Sequence, residues 1–221
     1  MTRTSYQERL QDLRGDLGAM ADTVLDQYDD AVSVLETRDR RQSKRIREED
    51  ERINEWYLDI EADCVELLAL QQPVAGDLRF VASTFKIATD LERIGDLAVN
   101  LAEYGCEAGG DPGAVELVPT ARAAGEMVEA AMDAYATDDV DAARQVAGLD
   151  DNLDRQCREA SEEVVIGLLA SDPDEAGVEQ RLEDVSRALL TIRDVERVGD
   201  HAVNICARTV YMVEHDDELL Y

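Results

Sequence analysis

Apolar residues recur at three- and four-residue steps through most of the chain, the spacing of one face of a helix. From about Ser5 to Glu36 the stripe is Leu10, Leu17, Ala21, Val24, Tyr28, Ala31 and Leu35. This near-heptad spacing predicts a long helix in a bundle. Thr37, Arg38 and Asp39 break it. A second stripe, from about Arg40 to Gln71, runs through Ile46, Asp50, Ile53, Tyr57, Ile60, Cys64 and Leu67, and Pro73 and Gly76 end it. Asp77 is placed to cap a third helix from about Leu78 to Tyr104. Its stripe is Leu78, Val81, Phe85, Ala88, Glu92, Gly95, Val99 and Ala102. Asp50 and Glu92 are the members that do not suit an apolar seam.

The pattern then starts again. Leu117, Ala121, Ala124, Val128, Ala131 and Tyr135 predict a fourth helix, and Thr137, Asp138 and Asp139 repeat the earlier break. A fifth helix carries Val146, Asp150, Leu153, Cys157, Ala160, Val164 and Gly167. Asp172 and Pro173 mark a stop and restart. A sixth carries Leu182, Val185, Leu189, Ile192, Glu196, Gly199, Val203 and Cys206. Asp150 and Glu196 are again the misplaced members. Gly105 to Gly113 is the one glycine-rich linker. The expected fold class is all-α: two tandem three-helix bundles related by internal duplication, with residues 1–105 as the first, 106–114 as linker and 115–221 as the second.

The duplication is sharpest where the acids sit. Residues 90–100 read DLERIGDLAVN and residues 194–204 read DVERVGDHAVN, identical at eight of eleven positions. Glu92, Asp96 and Asn100 are spaced four apart, as are Glu196, Asp200 and Asn204, so each set forms a stripe of oxygen groups on one helix face. Asp50 and Asn54 on the second helix, and Asp150 and Asp154 on the fifth, can face those stripes. Like charges at this spacing repel, and burial adds to the cost, so something positive should accompany them: an Arg, a proton or a metal ion. An oxygen-only set suits Mg²⁺, Mn²⁺, Ca²⁺ or iron. His201 points away from the stripe and reads as a rim or packing residue. Gly95 and Gly199 read as close helix contacts.

Composition changes how much weight one pair carries. Acids fill 51 of the 221 positions. Chance alone then gives about a dozen Glu or Asp pairs at four-residue spacing, and a solvated acidic face is the ordinary reading of any single one. It is the repetition in equivalent seam positions that favours metal ligation over a solvated or Arg-paired stripe. The net charge of −29 argues against nucleic-acid binding and against attraction to an anionic membrane. Two Lys among 22 basic residues, with so many acids, look like a salt-adapted, halophile-like surface. The four scattered cysteines suit buried positions in a reducing compartment. No apolar run has membrane-spanning length and the N-terminus has no leader-like apolar region, so a soluble cytoplasmic protein is expected.

The doubled signature Asp-x-Glu-Arg-(Ile/Val)-Gly-Asp-x-Ala-Val-Asn, together with PVAGDLRFVASTFKIATDLERIGD at residues 73–96, resembles the PhoU family of phosphate-uptake regulators over nearly the whole chain. The resemblance implies a non-enzymatic regulatory adaptor that damps phosphate import and phosphate-starvation signalling. It implies contact with the ATPase subunit of the phosphate ABC transporter, with a phosphate-responsive sensor kinase where one exists, and assembly as a homodimer. It implies iron, zinc, manganese or magnesium at Glu92, Asp96, Glu196 and Asp200, with Asp50, Asp150 and Asp154 as further ligands and Asn54, Asn100 and Asn204 as auxiliaries. Asn54 stands where the second copy has Asp154, so the two sites should differ in charge. Family sites are often superficial, whereas the stripes put Glu92 and Glu196 on the seam.

Two other readings compete. A carboxylate-bridged oxidase would need Glu-x-x-His pairs, which neither His201 nor His215 supplies. A purely structural helical dimer module, metal-binding or not, would have no phosphate role. No nucleotide-binding loop, nucleophile–base pair or glycine-rich phosphate cradle is present to suggest an enzyme.

Overall fold

The computed structural model describes residues 3–71, 75–107, 117–170 and 177–219. All secondary structure among them is helical: α1 (Arg3–Thr37), α2 (Arg40–Gln71), α3 (Ala75–Glu107), α4 (Leu117–Thr137), α5 (Val140–Ala147), α6 (Asp150–Ala170) and α7 (Val178–Glu214). The fold is two repeated helical bundles, α1–α3 and α4–α7.

The breaks between the first two arms of each bundle are built alike. Arg38 and Asp138 both take left-handed backbone conformations, with φ of 56° and 55°. Each is followed by an Asp that caps the next helix: Asp39 accepts from the Arg41 amide (2.8 Å) and Asp139 from the Ala142 amide (2.9 Å). A left-handed non-glycine residue costs about 1 kcal/mol, and here it turns the chain so that the capping Asp can engage.

Four expectations need correction. The fifth helix is interrupted: Gly148 ends α5, its amide donating to Arg144 O (3.1 Å), and α6 restarts with Asp150 in its first turn. The helical stripe passes unbroken across this point, so periodicity alone could not show it. Asp77 lies inside the first turn of α3, beyond the cap position. It favours the helix through its charge near the positive end of the dipole. Gly76 belongs to α3, and α3 also takes in Gly105, Cys106 and Glu107, residues expected in the linker. The rest of the linker and the Asp172–Pro173 restart lie outside the described residues.

The fourth correction concerns the seam of α3 and α7. These helices are enclosed on more than one side: besides the expected Val81, Ala88, Ala102 and Cys206, their fully buried apolar residues include Ile87, Leu91, Ile94, Ala98 and Leu101 in α3 and Val195, Val198, Ala202 and Ile205 in α7. Glu92 and Glu196 lie half-buried at the edge of that core. The buried apolar residues form one cluster running through both bundles. Tyr28 of α1 crosses to α4, where its hydroxyl donates to Ala121 O (2.9 Å) and its ring lies where a Cβ on Gly125 would meet it at 3.0 Å. Cys64, Cys157 and Cys206 are buried free thiols, and Cys106 is half-buried.

Candidate functional site

Close helix approach positions the acids. A Cβ on Gly95 would sit 3.1 Å from Ile53 Cδ1 and 3.4 Å from Asp50 Oδ1; one on Gly199 would sit 2.3 Å from Leu153 Cδ2 and 3.4 Å from Asp150 Oδ1. The two glycines therefore do what the sequence suggested. They bring the Asp-bearing helix against the Glu-bearing helix in each bundle.

The first facet gathers Asp50, Glu92 and Asp96. Asp50 and Glu92 are half-buried and Asp96 is exposed. Burial, then the nearby Asp96 and Asp50, hold the Glu92 carboxyl above its ordinary range, against an opposing pull from Arg93 and His201. Burial and Asp50 raise Asp96 as well. Asp50 is already supplied with donors: Gln27 gives it an amide N–H at 2.9 Å and Asn54 another at 3.3 Å. The same Gln27 nitrogen reaches Gly95 O at 3.2 Å.

The second facet gathers Asp150, Asp154, Glu196 and Asp200, with Asp200 exposed and the others half-buried. All its resolved shifts are upward. Burial leads in each case, followed by the neighbouring acids, chiefly Asp154. Asp150 is pushed furthest, from 3.8 to about 6. Its Oδ1 is shielded from solvent without a hydrogen-bond partner. The position one hundred residues after Gln27 is Met127, which has no amide to offer, and Asp154 replaces Asn54. The second facet thus has one more carboxylate than the first and lacks its two amides.

Asn100 and Asn204 do not serve the facets. Asn204 of α7 donates to Asp90 of α3 (3.2 Å), and Asn100 of α3 donates to Asp194 of α7 (3.3 Å). These reciprocal bonds pair position 90 with 204 and 100 with 194, so α3 and α7 run antiparallel at the junction of the bundles. Asp90 also binds His201 Nδ1 at 2.9 Å. A carboxylate only accepts, so Nδ1 carries the hydrogen. Asp194 is fully buried and receives Arg193 instead, through Nε at 3.1 Å and Nη2 at 2.8 Å, with Arg197 Nη1 at 3.9 Å. The one polar mismatch in the repeated block is thereby explained. Where His201 has Leu97 as its counterpart, the lost partner is replaced by Arg193, whose own counterpart is Thr89. His201 is a buried packing residue, as expected.

Sequence reasoning missed Asp90, Asp194 and Gln27. The signal for the first two was present, since both copies of the block begin with that Asp. Gln27 gave none, because its counterpart is apolar.

The PhoU domain matches this chain twice, at residues 17–105 and 119–209. The chain belongs to the PhoU family. It is 37% identical over 216 residues to the phosphate-specific transport system accessory protein PhoU homolog of Pseudomonas aeruginosa, covering 96% of this chain and 86% of that protein. It is 29% identical over 215 residues to the PhoU accessory protein of Escherichia coli, again over 96% and 86%. The crystal structure of PhoU from Pseudomonas aeruginosa matches with a TM-score of 0.88 at 35% identity, over 96% of this chain and 100% of that one. The regulatory protein PhoU from Streptococcus pneumoniae matches at 0.85 and 26%, over 96% and 98%. No helix among the described residues of this PhoU-family chain is long and apolar enough to cross a membrane.

The chemistry of the two facets can be tested against a metal. Among the described residues, no three His, Cys, Asp or Glu side chains are already gathered closely enough to hold an ion. The donor set nevertheless suits a hard cation, being entirely oxygen. The second facet suits it better than the first, with four mutually repelling carboxylates and an unpartnered, shielded Asp150 oxygen. In the first, the Gln27 and Asn54 amides already occupy Asp50.

Proposed function

We propose that this chain is a non-catalytic regulatory adaptor of phosphate transport, acting as a negative regulator of phosphate uptake and of the associated starvation signalling. The observation that carries this reading is the match of the PhoU domain to both halves, with relatives named as accessory proteins of the phosphate-specific transport system. The partner in this reading is the ATPase subunit of a phosphate ABC transporter, with a phosphate-responsive sensor kinase as a second partner where the cell has one.

The metal reading belongs to the same proposal. Asp150, Asp154, Glu196 and Asp200 would hold an iron, zinc, manganese or magnesium ion, and Asp50, Glu92 and Asp96 a second, more weakly. A bound cation would neutralise acids that burial and mutual repulsion otherwise penalise. The chain's own contribution is to hold the acid-bearing helices in contact through Gly95 and Gly199.

The test is affinity capture of the cognate transporter ATPase in about 1 M KCl, a level that screens non-specific charge contacts, with and without Mn²⁺. Elemental analysis of the parent and of Glu92→Gln/Glu196→Gln accompanies it. Capture of the ATPase by the parent supports the adaptor reading, and its failure under both conditions refutes it. Stoichiometric metal in the parent that the variant loses supports the facets as ligands. Equal metal in both, or none in either, refutes that part and leaves the facets as acidic recognition surfaces.

A further inference from the structure

A groove of about 630 Å³ lies between α2, the N-terminal half of α3 and the C-terminal end of α7. None of its lining residues belongs to either facet. Its walls are largely apolar: Val65, Leu68, Val81, Phe85 and the ring of Tyr211. Val65 is 60% exposed and Leu68 38% exposed.

Three polar groups in this groove stand out. Ser83 is 2% exposed, and its hydroxyl has no hydrogen-bond partner among the described residues. Other helical hydroxyls in the chain satisfy themselves by bonding the carbonyl four residues back, as Thr89, Ser161, Thr191 and Thr209 do at 2.9–3.0 Å. Ser83 does not take that option and is left with an unmade bond in a buried position, which costs free energy unless a ligand completes it. Lys86 and Arg208 line the same groove. The antiparallel register that pairs Asp90 with Asn204 puts them opposite each other one turn away. Some arginines are bound to carboxylates, such as Arg9, Arg14, Arg122 and Arg144, and others, such as Arg52 and Arg158, are not among the described residues. Lys86 and Arg208 make no ion pair among the described residues, in a chain with 51 acids. Two turns beyond, Arg79 donates to His215 Nε2 (2.5 Å).

We infer that this groove binds a small amphiphilic monoanion, with its charged head between Lys86 and Arg208, beside Ser83, and its apolar body along Val65, Leu68 and Phe85. The volume is that of a small-molecule site. Glu61 and Asp217 also line it, so its charges balance. A multiply charged ligand such as inorganic phosphate would be repelled by those acids and gains nothing from the apolar wall. A single anion with a hydrocarbon tail satisfies both halves of the lining. This inference stands independently of the adaptor reading.

The probe is decanoate, titrated calorimetrically into the full chain below its micelle concentration in about 1 M KCl. Decanol and inorganic phosphate are the comparison ligands. Saturable one-to-one binding of decanoate is expected, with decanol and Lys86→Gln/Arg208→Gln each weakening it about tenfold or more, the effect of losing one charge-assisted hydrogen bond. Ala82→Trp, which places an indole at the exposed edge of the groove and leaves both cations in place, should abolish binding. Circular dichroism confirms that the variants are folded. Absence of saturable decanoate binding overturns the inference. So does decanol binding as tightly as decanoate, inorganic phosphate competing with it, or unchanged decanoate affinity in both folded variants.

Discussion

Replacing Asp150 by Asn should make the metal-free protein more stable at alkaline pH and leave it unchanged in acid. The Asp150 carboxyl is pushed from 3.8 up to about 6 by burial and by Asp154, Asp200, Asp151 and Glu196. The folded chain therefore holds this proton more tightly than the unfolded chain does. The stabilising contribution of the protonated form is complete below about pH 4 and is lost as pH rises through about 6. At about 1.4 kcal/mol for each tenfold change in proton affinity, the ionised form carries at most about 3 kcal/mol of penalty. Asp150 is only half-buried, and screening by water and salt reduces this to about 1 kcal/mol. For a chain of this size that is a rise in Tm of about 2–4 °C. Thermal unfolding followed by circular dichroism, in chelator and about 1 M KCl, measures it at about pH 8 and about pH 4, on either side of the titration window. A fall in Tm at the alkaline pH, or the same change at both, would refute the reasoning. It would mean that Asp150 is held by a bond the structure does not contain.

His201→Leu copies the residue of the other repeat and leaves the buried Asp90 with Asn204 alone; a loss of about 1–3 kcal/mol in urea unfolding is expected. Adding Thr89→Arg copies the partner of Asp194 and should recover part of that loss, and no recovery would show that the two junction sites are not interchangeable. Gly199→Ala should cost about 1–3 kcal/mol by the same assay, because its Cβ would lie 2.3 Å from the buried Leu153. Gly95→Ala, facing Ile53 at 3.1 Å, should be nearly neutral once the gain in helix propensity of about 1 kcal/mol is included, so equal costs would contradict the packing described. Burial pushes the Cys64, Cys157 and Cys206 thiols up to about 12, so thiol labelling of the native protein should modify Cys106 first, with the other three appearing only on unfolding.

The sequence by itself determined the helices, their order and their duplication. Those follow from local spacing: a period near three and a half, the break at Thr37–Asp39 repeated at Thr137–Asp139, and a block repeated almost letter for letter. It also located the acids of both facets, because the four-residue step from Glu92 to Asp96 recurs from Glu196 to Asp200 and Asp50 recurs as Asp150. Tertiary structure alone decided what those acids and their neighbours do. Asn100 and Asn204 share a face with the acids within their own helix, yet each turns to an Asp on the opposite bundle. Spacing along one helix cannot report a partner more than ninety residues away. Gln27 distinguishes the two facets only because packing brings α1 against Asp50. The α5–α6 break escaped detection because Gly148 interrupts the hydrogen bonds without disturbing the apolar stripe. Periodicity records which side of a helix is buried; what lies against that side depends on how the two bundles meet.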